Sequence, residues 1–256
     1  MSSHSPEELE RMSLLQHLEE LRKRLLWSIV SIGIAFLPCW YFVEDIFNFL
    51  QKPILAQLEH GQRLVYTGIA DPLFLYLKVA ALGAVFIASP FILYQIWRFV
   101  SPGLYRRERL YVLPFLLFGS FFFIGGGAFA YYIAFPRAAN FLLGMAKQFQ
   151  PMIEVSRYFG FLMTIILGMG LMFELPVFVV LLSAIGLVTP MFLLRHFRWA
   201  ILIIFTVAAI VTPTPDVYNL CFFAVPALVL YFLGIGVAWL LSPRRREKTA
   251  EAASSP

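Results

Sequence analysis

Six apolar runs, each bounded by charged or turn-forming residues, dominate this 256-residue sequence and dictate its solvent. They span Leu25 to Val43, Leu73 to Trp97, Leu110 to Phe135, Tyr158 to Leu187, Trp199 to Val211 and Val217 to Leu241. Most approach the ~20 residues that a helix needs to cross ~30 Å of hydrocarbon. The composition agrees: 60% of residues are hydrophobic and 14% charged, against roughly 25% charged in a soluble domain. Mean hydropathy is +0.78. A β-barrel is excluded by periodicity, because its strands alternate apolar and polar residues while these runs are apolar on every face. The expected fold is an all-α polytopic membrane protein with six spans. Pro38, Pro90 and Pro114 fall inside the first three and should kink rather than break them.

Orientation follows from Lys and Arg outside the spans, which are enriched on the cytoplasmic side. Arg11, Arg22, Lys23, Arg24, Arg98, Arg106, Arg107, Arg109, Arg195, Arg198, Arg244, Arg245, Arg246 and Lys248 lie on the side of the N-terminus. Lys52, Arg63, Lys78, Arg137, Lys147 and Arg157 lie opposite. Both termini are therefore expected in the cytoplasm. The organisation is a cytoplasmic N-terminal segment (1–24), one membrane domain (25–241) and a basic, apolar-poor tail (242–256). Within the membrane domain, 44–72 forms an outer cap and 98–109 the first cytoplasmic loop. The net charge of +5 is explained by this topology and gives no reason to invoke nucleic acid. The first run lacks a small-residue cleavage site and follows acidic residues, so it reads as a retained span. Cys39 and Cys221 lie in or beside spans with no metal-ligand or redox spacing.

Several features depart from a plain bundle. The outer segment "FNFLQKPILAQL" should form short amphipathic helices divided at Pro53. The fifth run, Trp199 to Val211, reaches only about 20 Å as a helix. It is either an inner helix shielded from lipid or a device that thins the bilayer. Glu174, in "GLMFELPVF", places a carboxylate in the fourth span at about 3 kcal/mol on insertion scales. A neutral carboxyl in a bundle contact accounts for it, as does a cavity used by a substrate or partner. Glu108 stands among Arg106, Arg107 and Arg109 in "SPGLYRRERL", and by itself reads as a surface ion pair. In "HLEELRKRLLW", Leu14, Leu18, Leu21 and Leu25 share a helix face turned to membrane or bundle. Glu19 and Glu20 precede Lys23 and Arg24 by four residues in the favourable order, which accounts for both acids but not for His17 and Arg22. The small-residue patch "GGGA", Gly125 to Ala128, serves either partner docking or internal packing.

"HLEELRKRL", "SPGLYRRERL", "FELP" and "TPTPD" occur in order, at matching topological positions, within six spans. Together they closely resemble the TatC family, the signal-peptide receptors of the twin-arginine protein translocase, over roughly Leu14 to Leu241. The resemblance implies a concave, glove-like six-helix scaffold with short fifth and sixth helices. It implies that Glu20 and Glu108 read the paired arginines of signal peptides on folded precursors. Arg22, Phe99 and Leu104 match positions supporting that site, Pro53 one in the outer cap, and Glu174 an intramembrane polar site facing the concavity. It further implies single-span TatA- and TatB-like partners, a multi-copy complex in the cytoplasmic (inner) membrane, and energy from the protonmotive force with no cofactor, metal or catalytic residue. A carboxylate suits this task because it accepts the planar guanidinium fork bidentately, as it cannot an ammonium. The rival reading is an ion-coupled small-molecule carrier using Glu174. A hydrolase lacks HExxH and GxSxG, and no Walker motif is present.

Overall fold

The structure, a computed structural model, describes residues 6–58, 64–100, 112–145, 152–184, 186–212 and 216–241. Among them the chain is almost wholly helical. α1 (Pro6–Tyr41) and α2 (Val43–Leu55) are followed by α3 (Asp71–Val100) and α4 (Val112–Phe129). A π-helical turn, Ala130–Ala134, joins α4 to α5 (Phe135–Met145). The chain then forms α6 (Val155–Phe173), α7 (Leu175–Ala184), α8 (Pro190–Arg195), α9 (Phe197–Val211) and α10 (Val217–Leu241). Among the described residues five stretches are long and apolar enough to cross a membrane: His17–Tyr41, Asp71–Phe99, Leu113–Met145, Val155–Ala184 and Val217–Leu240. With the shorter α9 they reproduce the six expected spans.

α1 continues from the N-terminal segment straight into the first span, so no break separates segment 6–24 from the membrane domain. It packs along α3 in antiparallel fashion: His17 meets Phe99 at one end, and Cys39 lies against Gly83 further along. α6 is the central helix and buries Tyr158, Phe159, Leu162, Ile165, Ile166, Met169 and Met172. Close approach of α4 to α6 and to α3 requires two of the glycines of "GGGA". A β-carbon on Gly126 would fall 2.6 Å from the Met169 carbonyl oxygen, and one on Gly127 would fall 2.5 Å from the Phe86 ring. Gly126 and Gly127 are therefore internal packing positions, while Gly125 faces open space.

Prolines inside helices leave the carbonyl four residues earlier without its N–H donor. Pro90 sits within α3, and the Ser89 hydroxyl donates to the freed Phe86 carbonyl at 2.8 Å. Pro53 differs from expectation: it lies in the last turn of α2, which runs through it as one helix rather than two. The freed Phe49 carbonyl accepts instead from the Tyr131 hydroxyl at 2.6 Å, and Tyr158 donates to the neighbouring Leu50 carbonyl at 2.7 Å. The π turn carries Tyr131. α2 buries Val43, Leu50 and Ile54 and turns Glu44, Asp45 and Lys52 outward, as the amphipathic reading required. The cap is completed by a parallel bridge between Val65 and Glu154, and by Asp71, whose carboxylate accepts from the Gly68 amide at 2.6 Å.

The final spans divide the expectation of shortness. α9, with 15 residues, reaches about 22 Å, whereas α10 has 25 residues and is full length. The shielded-helix account of α9 does not hold. Only Ile204 and Ala208 are buried, while Trp199, Leu202, Ile203 and Ile210 are exposed along one side. Its Val211 end is seated where a β-carbon on Gly168 would be.

The close α4–α6 crossing yields a paired expectation. Gly126→Ala should lower stability by about 1–3 kcal/mol through overpacking against backbone, while Gly125→Ala should be neutral or mildly stabilising. Thermal unfolding of the two detergent-solubilised variants tests the contrast.

Candidate functional site

The two acids of "HLEEL" occupy different faces of α1, and of the two ion pairs expected for them the structure forms one. The Arg24 guanidinium donates to Glu20 Oε1 at 2.8 Å, with the Glu20 side chain 31% and the Arg24 side chain 14% exposed. No Glu19–Lys23 ion pair forms among the described residues. Both of those side chains are exposed, where an ion pair contributes only ~0–1 kcal/mol against the entropy of ordering two long side chains. Glu20 and Arg24 instead lie toward the side of α1 that packs on α3, so their rotamers are already restricted. Glu20, not Glu19, is the acid with a local partner.

That pair is monodentate. Arg24 Nε is buried without an acceptor, and Glu20 bonds through one carboxylate oxygen. Since an ionised carboxylate offers about four lone-pair sites, Glu20 retains acceptor capacity.

His17, three residues before Glu20 and so on the same side of α1, stacks on Phe99 with ring centroids 4.4 Å apart and planes at 26°. This contact brings the last turn of α3 against the Glu20 turn and supplies the role that spacing alone left unassigned to His17. Arg22 is exposed and points away from this side, onto the same face as Glu19 and Lys23. The leucine stripe is also settled: Leu18, Leu21 and Leu25 are exposed, so it faces membrane rather than bundle. Glu108 and Leu104 lie outside the described residues, as does the remainder of loop 101–111.

Glu174 occupies the break in the fourth span. α6 ends at Phe173, Glu174 turns at φ −73° and ψ −11°, and α7 begins at Leu175 with Pro176 in its first turn. The side chain is 2% exposed, and neither carboxylate oxygen has a hydrogen-bond partner among the described residues. It points toward α4: a β-carbon on Gly119 would lie 3.5 Å from Oε2 and 3.0 Å from Leu93 of α3. Of the "TPTPD" segment, Thr212 donates to the Ala208 carbonyl at 2.6 Å, and Asp216 accepts from the Asn219 amide at 2.7 Å. The carboxylate of Asp216 thus caps the start of α10, a structural duty.

The family model described as TatC, Sec-independent protein translocase protein, matches residues 16–226. The chain belongs to the TatC family. It is 48% identical over 251 residues to the Sec-independent protein translocase protein TatC of Koribacter versatilis (strain Ellin345), covering 97% of this chain and 93% of that one. The counterpart in Escherichia coli (strain K12) is 36% identical over 223 residues, covering 87% of this chain and 86% of that one. A crystal structure described as Twin Arginine Translocase Receptor TatC superposes with a TM-score of 0.76 at 35% identity, over 88% of this chain and 98% of that one. A second, in DDM, gives 0.77 at 35% identity, over 87% and 99%.

The chain is accordingly a multi-pass membrane component of a Sec-independent protein translocase, and a translocase family does not favour the carrier reading of Glu174. The ring contact generates a measurable expectation. His17→Ala and Phe99→Ala should each lower stability, and their double-mutant cycle should return a coupling of about 0.5–1.5 kcal/mol. Denaturant unfolding in detergent is the check, and additive losses would show that the stack carries no energy.

Proposed function

We propose that this TatC-family protein is the receptor for twin-arginine signal peptides of folded precursors. Glu20 and Glu108, on the cytoplasmic face, each accept one guanidinium fork of the arginine pair. The observation that carries the reading is the Glu20 turn itself. It holds a partly buried carboxylate bound through a single oxygen, beside the end of α3 that leads into the Glu108 loop. Phe99 and Leu104 flank the peptide, with Phe99 held by His17, and Arg22 supports the segment from the neighbouring face of α1. Both termini lie in the cytoplasm of a cell whose inner membrane houses the complex.

In this proposal the apolar stretch of the signal peptide inserts along the concave side of a glove-like scaffold. TatA- and TatB-like single-span subunits then assemble beside it in a multi-copy complex, and the protonmotive force drives transport. Glu174, buried at a helix break with both oxygens unpartnered among the described residues, offers an acceptor to a polar group entering the membrane. Such a bond forms where no water competes. The short, laterally exposed α9 either sits under a partner helix or thins the bilayer beside it. Pro53 shapes the outer cap, with its freed carbonyl held by Tyr131.

Glu20→Ala and Glu108→Ala should each lower photo-crosslinking of a twin-arginine precursor by about tenfold or more, since a charge-assisted hydrogen bond contributes roughly 1.5–3 kcal/mol. Lysine pairs on the precursor should lower capture by the unsubstituted protein in the same way. Undiminished capture by both variants would remove the clamp.

A further inference from the structure

Two contacts fix the register of the antiparallel α1–α3 pair: the His17–Phe99 ring stack and the approach of Cys39 to Gly83. Arg24 follows His17 by seven residues along α1, and Gln95 precedes Phe99 by four along α3, so each stands on the contacting face of its helix. At 1.5 Å per residue, the first contact places Arg24 about 4.5 Å deeper in the membrane than Gln95, and the second places it about 4.5 Å less deep. The two contacts thus bracket a common depth, which a long arginine side chain spans.

Each residue carries an orphaned atom there. Arg24 Nε is buried without an acceptor and Gln95 Oε1 without a donor among the described residues, and Gln95 is 4% exposed. Buried polar atoms are as a rule paired, and these two are a donor and an acceptor on apposed faces of one helix pair. Arg24 Nη2 is already engaged, donating to Glu20 Oε1 at 2.8 Å. We propose that Gln95 is a positioning residue of the Glu20 site: when an incoming guanidinium takes the free Glu20 oxygen, Arg24 turns its Nε–H onto Gln95 Oε1 and keeps Nη2 on Glu20. The inference rests on the reading of Glu20 as an acceptor for peptide arginines.

Nε–H and one Nη2–H project from the same edge of the planar guanidinium, so a single side chain can serve both acceptors. That edge is equally suited to closing on both oxygens of Glu20, the side-on bidentate pairing that carboxylates favour. Such closure would fill the position the peptide needs, and Gln95 diverts Nε from it. Charge acts in the same direction, because a second guanidinium at Glu20 repels the first and favours a state in which Arg24 has another acceptor. A neutral amide suits this duty. It satisfies Nε without competing with Glu20 for the charge, whereas an apolar side chain would leave Nε unpartnered.

Solution NMR of the full chain in detergent, isotopically labelled at arginine nitrogen and titrated with a synthetic twin-arginine signal peptide, tests it. The Arg24 Nε–H signal, assigned by its loss in Arg24→Lys, should exchange with water about tenfold or more slowly when peptide is bound, and Gln95→Met should remove that slowing. Peptide affinity should fall about tenfold in Gln95→Met, with no further fall when Gln95→Met is added to Arg24→Met. Equal losses in both backgrounds would show that Gln95 merely supports helix packing and would overturn the inference. An Arg24 signal unchanged by bound peptide would overturn it while leaving the reading of Glu20 intact, and that signal decides the matter even where Gln95→Met fails to fold. Failure of the unsubstituted protein to bind the peptide would overturn both.

Discussion

A main-chain carbonyl that a proline deprives of its helical donor needs another donor within the protein wherever water cannot reach it. Two such repairs are seen in this fold, at Pro90 and at Pro53. Ser89 serves Pro90 from the adjacent residue and keeps the repair within α3. Pro53 has no such neighbour, and the donor for Phe49 arrives from Tyr131, 82 residues away in sequence. That single replacement bond ties α2 to the π turn of the third span, while Tyr158 adds the start of the fourth. The cap is thus fixed to two further spans, and α2 connects the outer ends of α1 and α3. At the other end of that antiparallel pair, the register decides which residue of α1 meets Phe99.

Spans were legible in the sequence because burial in lipid demands long apolar runs that nothing else produces, and all six appear where hydropathy placed them. The amphipathic α2 was legible for the same reason, while the leucine stripe of α1 was legible as a face and only exposure assigned it to the membrane. Interactions of small energy were not. Two i,i+4 acid–base pairs look equivalent in "EELRKR", and only packing against α3 chooses Glu20–Arg24 over Glu19–Lys23. Likewise Pro53 reads as a helix divider, yet in the final turn it removes one bond that a tertiary donor can replace. His17 lacked a role because its partner, Phe99, is remote in sequence; the one local signal was its position a turn before Glu20. The surroundings of Glu174 were hidden too, since the glycine that admits its carboxylate, Gly119, lies on another helix.

α1 therefore carries three separate environments around one circumference as it crosses the membrane boundary. His17, Glu20 and Arg24 lie toward α3, Leu18, Leu21 and Leu25 face lipid, and Glu19, Arg22 and Lys23 are exposed on the side turned away from α3. A helix can do this within two turns because residues one apart differ by about 100° in direction, so adjacent acids need share neither partner nor purpose.

Under the proposed recognition of signal peptides, the Arg24 contact would have two opposing effects on Glu20. It keeps the partly buried carboxylate from standing unpaired when no peptide is bound, which removes a desolvation cost from the empty state. It also lowers the field that an incoming guanidinium experiences, so the gain on binding is smaller than for an isolated acid. Because Arg24 engages only one oxygen, the second remains available for an incoming donor. In that proposal specificity would come from fork geometry, which an arginine satisfies and a lysine does not, while the retained internal partner would limit total affinity and leave the cargo releasable.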